Sequence, residues 1–449
     1  MFEKQVENAA PSKAVRGWGG ELAQKGWWHS FELPDGRVIE GVSTLAALKL
    51  RLAQFPIPED LSGKRVLDIG AWDGWFSFEM ERRGAEVTSI DCWDNERFRY
   101  IHRALGSKID YRVLDFYELL PAKIGTFDIV LFQGVLYHLK HPLLALERVC
   151  ALTKELAAVE SFVITGSKGN PVPKHPVMEF YETDEFGGQF DNWVGPNVEC
   201  LMAMCRAAGF ARVELQSLLP NGACVACFRH WEPKVSRTLH AAPKLIEVQH
   251  HTNFGVNFYS NLDEYGTCWF ATEEKALSRA SLRPEVGGYG AQPVMLMKRE
   301  DDRWQVNFKL PPGLAPGWHE VRIATVGSKF SEPLRIAVDL PAKAESLAIT
   351  SVCDAKSWTP GKVHLDQDPR ISAWVAGLPE NADRNNVRMS LSDVPLSVIY
   401  VEAPKGAEPR QLNAKIPAVI SAGEYKLTVS IGEVHAAPIA VTLESKLNG

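Results

Sequence analysis

Lys64 to Ser77 reads KRVLDIGAWDGWFS: an apolar run, an acidic residue near its end, Gly70, a short polar turn, and Gly74 opening a second apolar stretch. A strand that ends in a glycine turn and runs into a helix belongs at the carboxyl edge of a parallel sheet, where bare backbone can approach a ligand. The surrounding chain repeats the rhythm from about Leu45 to Arg229. RVLDIG, AEVTSID, IDYRVLDF, FDIVLFQG and AAVESFVI read as five strands, and GWFSFEMERRGA and HPLLALERVCALT carry apolar residues at helical spacing. VECLMAMCRAAGF reads as a helix ending at Gly209, with a further strand after it. Ahead of the sheet, GWWHSFELPDGRVIEGV alternates around a Pro-Asp-Gly turn, which predicts a hairpin placed as a lid.

After about Trp231 helical periodicity fades, and short alternating strands recur between Pro and Gly turns. Gly317 to Leu340 (GWHEVRIATVGSKFSEPLRIAVDL) matches Gly423 to Leu443 (GEYKLTVSIGEVHAAPIAVTL) nearly element for element. A repeat at about 105 residues, with Pro where no ladder N–H is needed, predicts tandem sandwiches. The expected fold class is therefore an α/β Rossmann-like domain with a mostly parallel seven-stranded sheet, followed by two all-β immunoglobulin-like sandwiches. The expected divisions are 1–44 for the N-terminal segment and hairpin lid, 45–235 for the α/β domain, 240–342 for the first sandwich and 343–449 for the second.

With 49 Lys and Arg against 55 Asp and Glu, the formal charge is −6, whereas a chain that grips a nucleic-acid backbone over a broad surface is usually basic. Eight cysteines in 449 residues make no disulfide framework. The N-terminus lacks an export signature and no window approaches the roughly 18 apolar residues of a membrane span, so a cytoplasmic location is expected.

Three acidic residues stand at successive strand tips. Asp68 precedes the glycine turn. Asp91, followed by Cys92, lies 21 residues past Gly70, where a carboxylate can accept hydrogen bonds from both hydroxyls of a ribose. Asp115, followed by Phe116, is placed to accept from an adenine amino group. The spacing is not the dinucleotide G-x-G-x-x-G, and no Walker Lys-Ser/Thr follows.

These pieces, with FDIVLFQGVLYHLKHPLLAL and NWVGPNVECLMAMCRAAGF, resemble the class I S-adenosylmethionine-dependent methyltransferases. Within them, GVLYHLKHPL is similar to the branch that modifies the tRNA wobble uridine (5-methoxyuridine and 5-oxyacetic acid). The resemblance covers roughly residues 20–230. It implies S-adenosyl-L-methionine as cofactor, with Asp68, Gly70 and Gly74 lining the methionine moiety, Asp91 and Cys92 at the ribose, Asp115 and Phe116 flanking adenine, and Gln133 beside the sulfonium. Where the superfamily often has a central glycine in the turn, this chain has Trp72. Tyr137 falls where some relatives contact the tail of a carboxylated cofactor.

The end of the fourth strand reads Gln133-Gly134-Val135-Leu136-Tyr137-His138 rather than the Asn/Asp-Pro-Pro-aromatic of amine methyltransferases. A histidine there can take a proton from a hydroxyl or an acidic carbon, so His138 is the first candidate base and His29 the second. Glu160, at the fifth strand's tip, would orient a base or bind substrate. Trp28, Trp193 and Asn197 are candidate substrate walls. The alternatives are a helix cap for His138 and a core anchor of the hairpin for Trp27 and Trp28. Cys224-Val-Ala-Cys227 lies inside a strand, where residues three apart face opposite sides, so it reads as structural and no metal is expected. His250-His251 reads as surface.

The expected activity is methyl transfer to a hydroxyl, or an acidic carbon, of a small or medium-sized acceptor, with the sandwiches recruiting substrate or a protein or glycan partner. A tRNA wobble-uridine methyl or carboxymethyl transferase is the first alternative. A glycan- or protein-binding module with a cofactor-sensing domain is the second.

Overall fold

The computed structural model describes residues 26–165, 172–232, 240–365, 367–404, 406 and 408–445. The chain divides into two compact units. The first contains the strands β1 (Trp27–His29), β2 (Phe31–Glu32), β3 (Val38–Ile39), β4 (Gly41–Ser43), β5 (Arg65–Ile69), β6 (Glu86–Asp91), β7 (Asp110–Val113), β8 (Phe127–Gln133), β9 (Thr153–Phe162), β10 (Met178–Phe180), β11 (Val194–Pro196), β12 (Arg212–Leu219) and β13 (Gly222–Phe228). Seven of these form one sheet in the order β12-β13-β9-β8-β5-β6-β7. Strands β5 to β9 run parallel, and β13 lies antiparallel to both β9 and β12.

The central strands are apolar on both faces because helices cover both. Neighbouring residues alternate between two cores. Val66, Leu131, Ala158 and Ala226 pack on one side with Leu48, Phe76, Met80 and Phe98. Leu67, Phe132, Val159 and Val225 pack on the other with Leu146, Val149 and Leu201. Among the described residues the helices are α1 (Leu45–Leu52), α2 (Trp75–Arg82), α3 (Glu96–Leu105), α4 (Pro121–Ile124), α5 (Pro142–Leu152) and α6 (Val198–Ala207). Strand order reverses between β5 and β8, and a crevice beyond the carboxyl ends of those strands is where open α/β sheets bind ligands.

The N-terminal hairpin pairs β2 with β3 around the Pro34-Asp35-Gly36 turn, while β1 runs parallel to β4. Residues 1–25 of the expected lid segment lie outside the described residues.

The first unit also takes in residues 283–292 and 311–314, which the sequence reading assigned to the first sandwich. Polar contacts explain this. Arg229, 1% exposed, donates through Nη2 to the carbonyl of Pro312 at 2.6 Å and lies 4.0 Å from the Tyr289 ring centroid. Gln292 Nε2 donates to the carbonyls of Phe210 and Ala211, and Trp231 Nε1 to that of Pro284.

The second unit is all-β among its described residues. It holds β14 (Lys244–His250), β15 (Asn257–Phe258) and β16 (Tyr265–Ala271). Next in the chain, β17 (Leu282–Val286) and β18 (Tyr289–Gly290) pair with each other at the segment that joins the first unit. Then follow β19 (Pro293–Lys298), β20 (Trp304–Lys309), β21 (Gly317–Thr325) and β22 (Leu334–Val338), and after them β23 (Ala348–Asp354), β24 (Lys362–Leu365), β25 (Arg370–Ala376), β26 (Val387–Leu391), β27 (Val394–Val401), β28 (Arg410–Lys415), β29 (Gly423–Ile431), β30 (Val434–His435) and β31 (Ile439–Ser445). Strands β14, β16, β20 and β19 make one sheet, and β15 runs parallel to β22 just as β24 runs parallel to β31. The repeated ending appears as two antiparallel pairs of like register: Gly317 faces Val338 and Val321 faces Leu334, while Gly423 faces Leu443 and Leu427 faces Ile439.

The second repeat departs from two separate leaves. Strand β27 pairs with β26 over Val394–Leu396 and with β28 over Ser397–Val401, joining both leaves into one nine-stranded sheet. A strand that switches leaves closes one corner of a sandwich.

Candidate active site

The glycine turn fixes the first half of the site. Gly70 adopts φ +73, and a Cβ there would run into Val135 Cγ2, so a larger residue would force the β8 loop to shift. Gly70 and Ala71 donate their amides to the carbonyl of Ile90. Trp72 takes a left-handed φ of 55° and donates its amide to Asp91 Oδ2 at 2.9 Å. The other oxygen of Asp91 accepts from Cys92 N at 2.8 Å, and burial raises the pKa of this carboxyl. The Cys92 side chain and the Trp93 backbone also hydrogen-bond to this carboxylate. Partial burial and the Asp91 charge push the Cys92 thiol up to about 11, which keeps it protonated.

Asp68 lies one residue before the end of β5, fully enclosed. Burial raises its pKa to about 6, against the opposing hydrogen bond from Ser77 Oγ at 2.5 Å. Ser89 Oγ donates in turn to Ser77 Oγ. Asp115 is exposed and accepts from Tyr117 N at the start of a short 3₁₀ turn, with Phe116 buried behind it against Phe132.

The second half lies at the ends of β8 and β9. Gln133 and Glu160 are register partners. Both polar atoms of the Gln133 amide are buried and bond to no described group. Orphaned buried amides are rare, so this pair is the clearest sign that a ligand atom belongs here. The residues present therefore fit S-adenosylmethionine: a bare glycine turn, a two-oxygen acceptor at Asp91 and a waiting amide at Gln133. The Tyr137 hydroxyl and Glu160 Oε2 converge on the space above Gly134, at 3.6 and 3.9 Å from where a Cβ would sit. Burial raises the pKa of both, and the charge of Arg51, on α1, opposes this. Arg51 carries no motif that would have marked it in the sequence.

The backbone carbonyl of Tyr137 accepts the amide of Trp193, and His138 Nδ1 lies 3.1 Å from the carbonyl of Asp191. The loop before β11 thus closes over Leu136–His138 and brings three expected residues together. Lys140 Nζ stands 4.2 Å from the Trp193 ring centroid. Burial lowers the pKa of His138, leaving a neutral imidazole near neutral pH.

Several expectations meet a different outcome. Asn197 is 1% exposed, and its amide is used up by the fold: Oδ1 accepts from Cys200 N and Val177 N, and Nδ2 donates to the carbonyls of Pro173 and His175. It caps α6 rather than forming a substrate wall. His29 is buried, with Nδ1 against Asp73 Oδ1 and its ring edge on Phe76. Trp28 remains 39% exposed, whereas Trp27 is core. His250 is buried, not surface, with Nε2 3.4 Å from Glu264 Oε1. Cys224 and Cys227 lie within the buried β13, and among the described residues no three His, Cys, Asp or Glu side chains converge as metal ligands. The sequence reading passed over Asp73, which is fully buried and binds β1, and Trp93, whose ring lies 5.5 Å from that of Trp72.

Residues 40–174 match the model of a family described as a methyltransferase domain. Similar curated proteins include the tRNA U34 carboxymethyltransferase of Pseudomonas fluorescens (strain SBW25), 32% identical over 165 residues, covering 34% of this chain and 48% of that protein. The protein of the same name from Pseudomonas syringae pv. tomato (strain ATCC BAA-871 / DC3000) is 34% identical over 164 residues, covering 34% and 47%. The chain spans about half the length of these relatives. Among solved structures, the N-terminal domain of EvdMO1 with SAH and D-fucose aligns at 19% identity and a TM-score of 0.35, over 51% of this chain and 94% of that one.

Proposed function

We propose that this chain, whose N-terminal unit is a methyltransferase domain of the class I S-adenosylmethionine-dependent kind, moves a methyl group to a hydroxyl or acidic carbon of a small or medium-sized acceptor. The observation that carries this reading is the unpartnered Gln133 amide facing the end of β9 beside the glycine turn. Asp68, Gly70, Trp72 and Gly74 would hold the methionine end of the cofactor, Asp91 and Cys92 its ribose, Asp115 and Phe116 its adenine, and Gln133 the region of the sulfur. When bound, S-adenosylmethionine supplies an electrophilic methyl group.

The chain's own residues do the rest. With its proton on Nδ1, donated to the Asp191 carbonyl, His138 has Nε2 as its basic nitrogen. A lowered pKa keeps that nitrogen ready to take the acceptor's proton at neutral pH. Tyr137 and Glu160 would orient the acceptor above Gly134, and Trp28 and Trp193 would flank it. His29 serves by position, not by proton transfer.

A second reading, transfer to tRNA wobble uridine, is favoured by the curated relatives over the segment they share. The net charge of −6 opposes a broad tRNA-binding surface. The all-β unit, which we take to be two immunoglobulin-like sandwiches, would recruit substrate or a protein or glycan partner. No described helix is long and apolar enough to cross a membrane, and we place the reaction in the cytoplasm.

Methyl-labelled S-adenosylmethionine, incubated with the full chain and a cell extract split into RNA and small-molecule fractions, tests the reading. Label in the small-molecule fraction is expected, and label confined to RNA would transfer the assignment to the second reading. His138→Ala should lower turnover about 10²–10⁴-fold while S-adenosylhomocysteine affinity holds. Unchanged turnover would remove His138 as the base.

A further inference from the structure

We infer that Asp73 is a positioning residue that couples the N-terminal strand β1 to cofactor binding, an inference that rests on the cofactor reading above. Asp73 sits inside the turn, between Trp72 and Gly74, with no exposed surface. Its Oδ2 accepts the amides of Trp28 at 3.0 Å and His29 at 3.1 Å, and its Oδ1 lies against His29 Nδ1. One carboxylate thus captures two amides of a strand some 45 positions away in sequence, with its other oxygen against the His29 ring. On the other side of the same turn, the Trp72 amide is held by Asp91, the residue placed at the ribose.

The turn is consequently clamped from both ends. Trp72 is held in a left-handed conformation that a side-chain-bearing residue adopts only when its surroundings enforce it. Asp91 enforces it from the ligand side, and Asp73 from the β1 side. Any ligand that bonds to Asp91 and stiffens this turn must also steady β1, and loss of the β1 contacts must loosen the turn. Coupling of this kind is reciprocal. It also accounts for a buried His29 that has no room to act as a base: its ring completes the Asp73 contact and packs on Phe76, the second residue of α2.

Hydrogen exchange on the full chain, with and without saturating S-adenosylhomocysteine, tests the coupling directly at the Trp28 and His29 amides. Slowed exchange of these two amides on adding S-adenosylhomocysteine is expected. Binding that leaves their exchange unchanged overturns the inference while keeping the cofactor reading. A wild-type chain that binds no S-adenosylhomocysteine removes both. The variants add a second readout. Asp73→Ala should weaken S-adenosylhomocysteine about 10–100-fold in calorimetry, whereas Asp73→Asn, whose carbonyl oxygen can still accept both amides, should stay within about threefold of wild type. Equal affinity in a folded Asp73→Ala chain, or an equal loss in both variants, contradicts capture of the β1 amides as the working contact.

Discussion

Asp68 shows what enclosure does to a carboxyl at this edge of the sheet. Burial raises its pKa from 3.8 to about 6, so the folded chain holds the proton more tightly than the unfolded chain does. Its contribution to stability is therefore full below about pH 4 and is lost as pH rises through about 6. Asp68→Asn should gain stability over the wild type across that window, by up to about 3 kcal/mol at neutral pH without ligand. Denaturant titrations at several pH values check this, and parallel pH curves for the two proteins would contradict it. The places of Asp68 and Asp91 near strand ends and of Gly70 and Gly74 in the turn between β5 and α2 were legible in the sequence because residue type and spacing sufficed to mark them. Asp73 and Arg51 were not: what they do depends on partners that only the folded chain brings near.

At the scale of elements, α6 depends on one side chain. Asn197 caps it and fastens Pro173, His175 and Val177 in the preceding segment. Asn197→Ala removes an N-cap and the donor to two carbonyls of exposed residues, which should cost about 1–2 kcal/mol. Thermal or denaturant unfolding of the full chain measures this, and a stability equal to wild type would mean that water replaces the amide. Of the five parallel strands, β5, β8 and β9 were readable from their apolar runs, and β6 and β7 from their place in the βαβ rhythm. Strands β14 and β23 were not, and each carries a bulge, between Leu245 and Glu247 and between Ile349 and Ser351; β19 and β27 carry bulges too and were still readable. In β28 the alternation survives, yet a buried arginine, Arg410, stands at an inward position and donates to the carbonyls of Glu402, Pro379 and Ala382. A polar residue on the inner face disguises a strand.

At the scale of the molecule, the boundary expected near residue 235 cuts through the contacts of a buried charge. A chain ending there would leave the Arg229 guanidinium without the Pro312 carbonyl and the Tyr289 ring, and would strip Gln292 from Phe210 and Ala211. The loss is of hydrogen bonds and of the packing these segments supply, at about 0.5–1.5 kcal/mol for each hydrogen bond. We expect residues 1–235 alone to be insoluble, or to melt several degrees below the same unit in the full chain with S-adenosylhomocysteine present. Equal melting would show that the segments 283–292 and 311–314 contribute nothing to the first unit. The texture change after Trp231 was visible in the sequence. The return of two short segments was not, since their Gly and Pro (RPEVGGYGAQ and PPGL) read as turns between strands.

The central claim is that the carboxyl edge of the β5–β8 sheet holds S-adenosylmethionine through Asp91. Calorimetric titration of S-adenosylhomocysteine into the full wild-type chain and into Asp91→Ala tests it most directly. One saturable site is predicted in the wild type, with the variant weakened by roughly 1.5–3 kcal/mol, the range for hydrogen bonds to a charged group. No binding by the wild type, or equal affinity in a folded Asp91→Ala chain, would contradict the account.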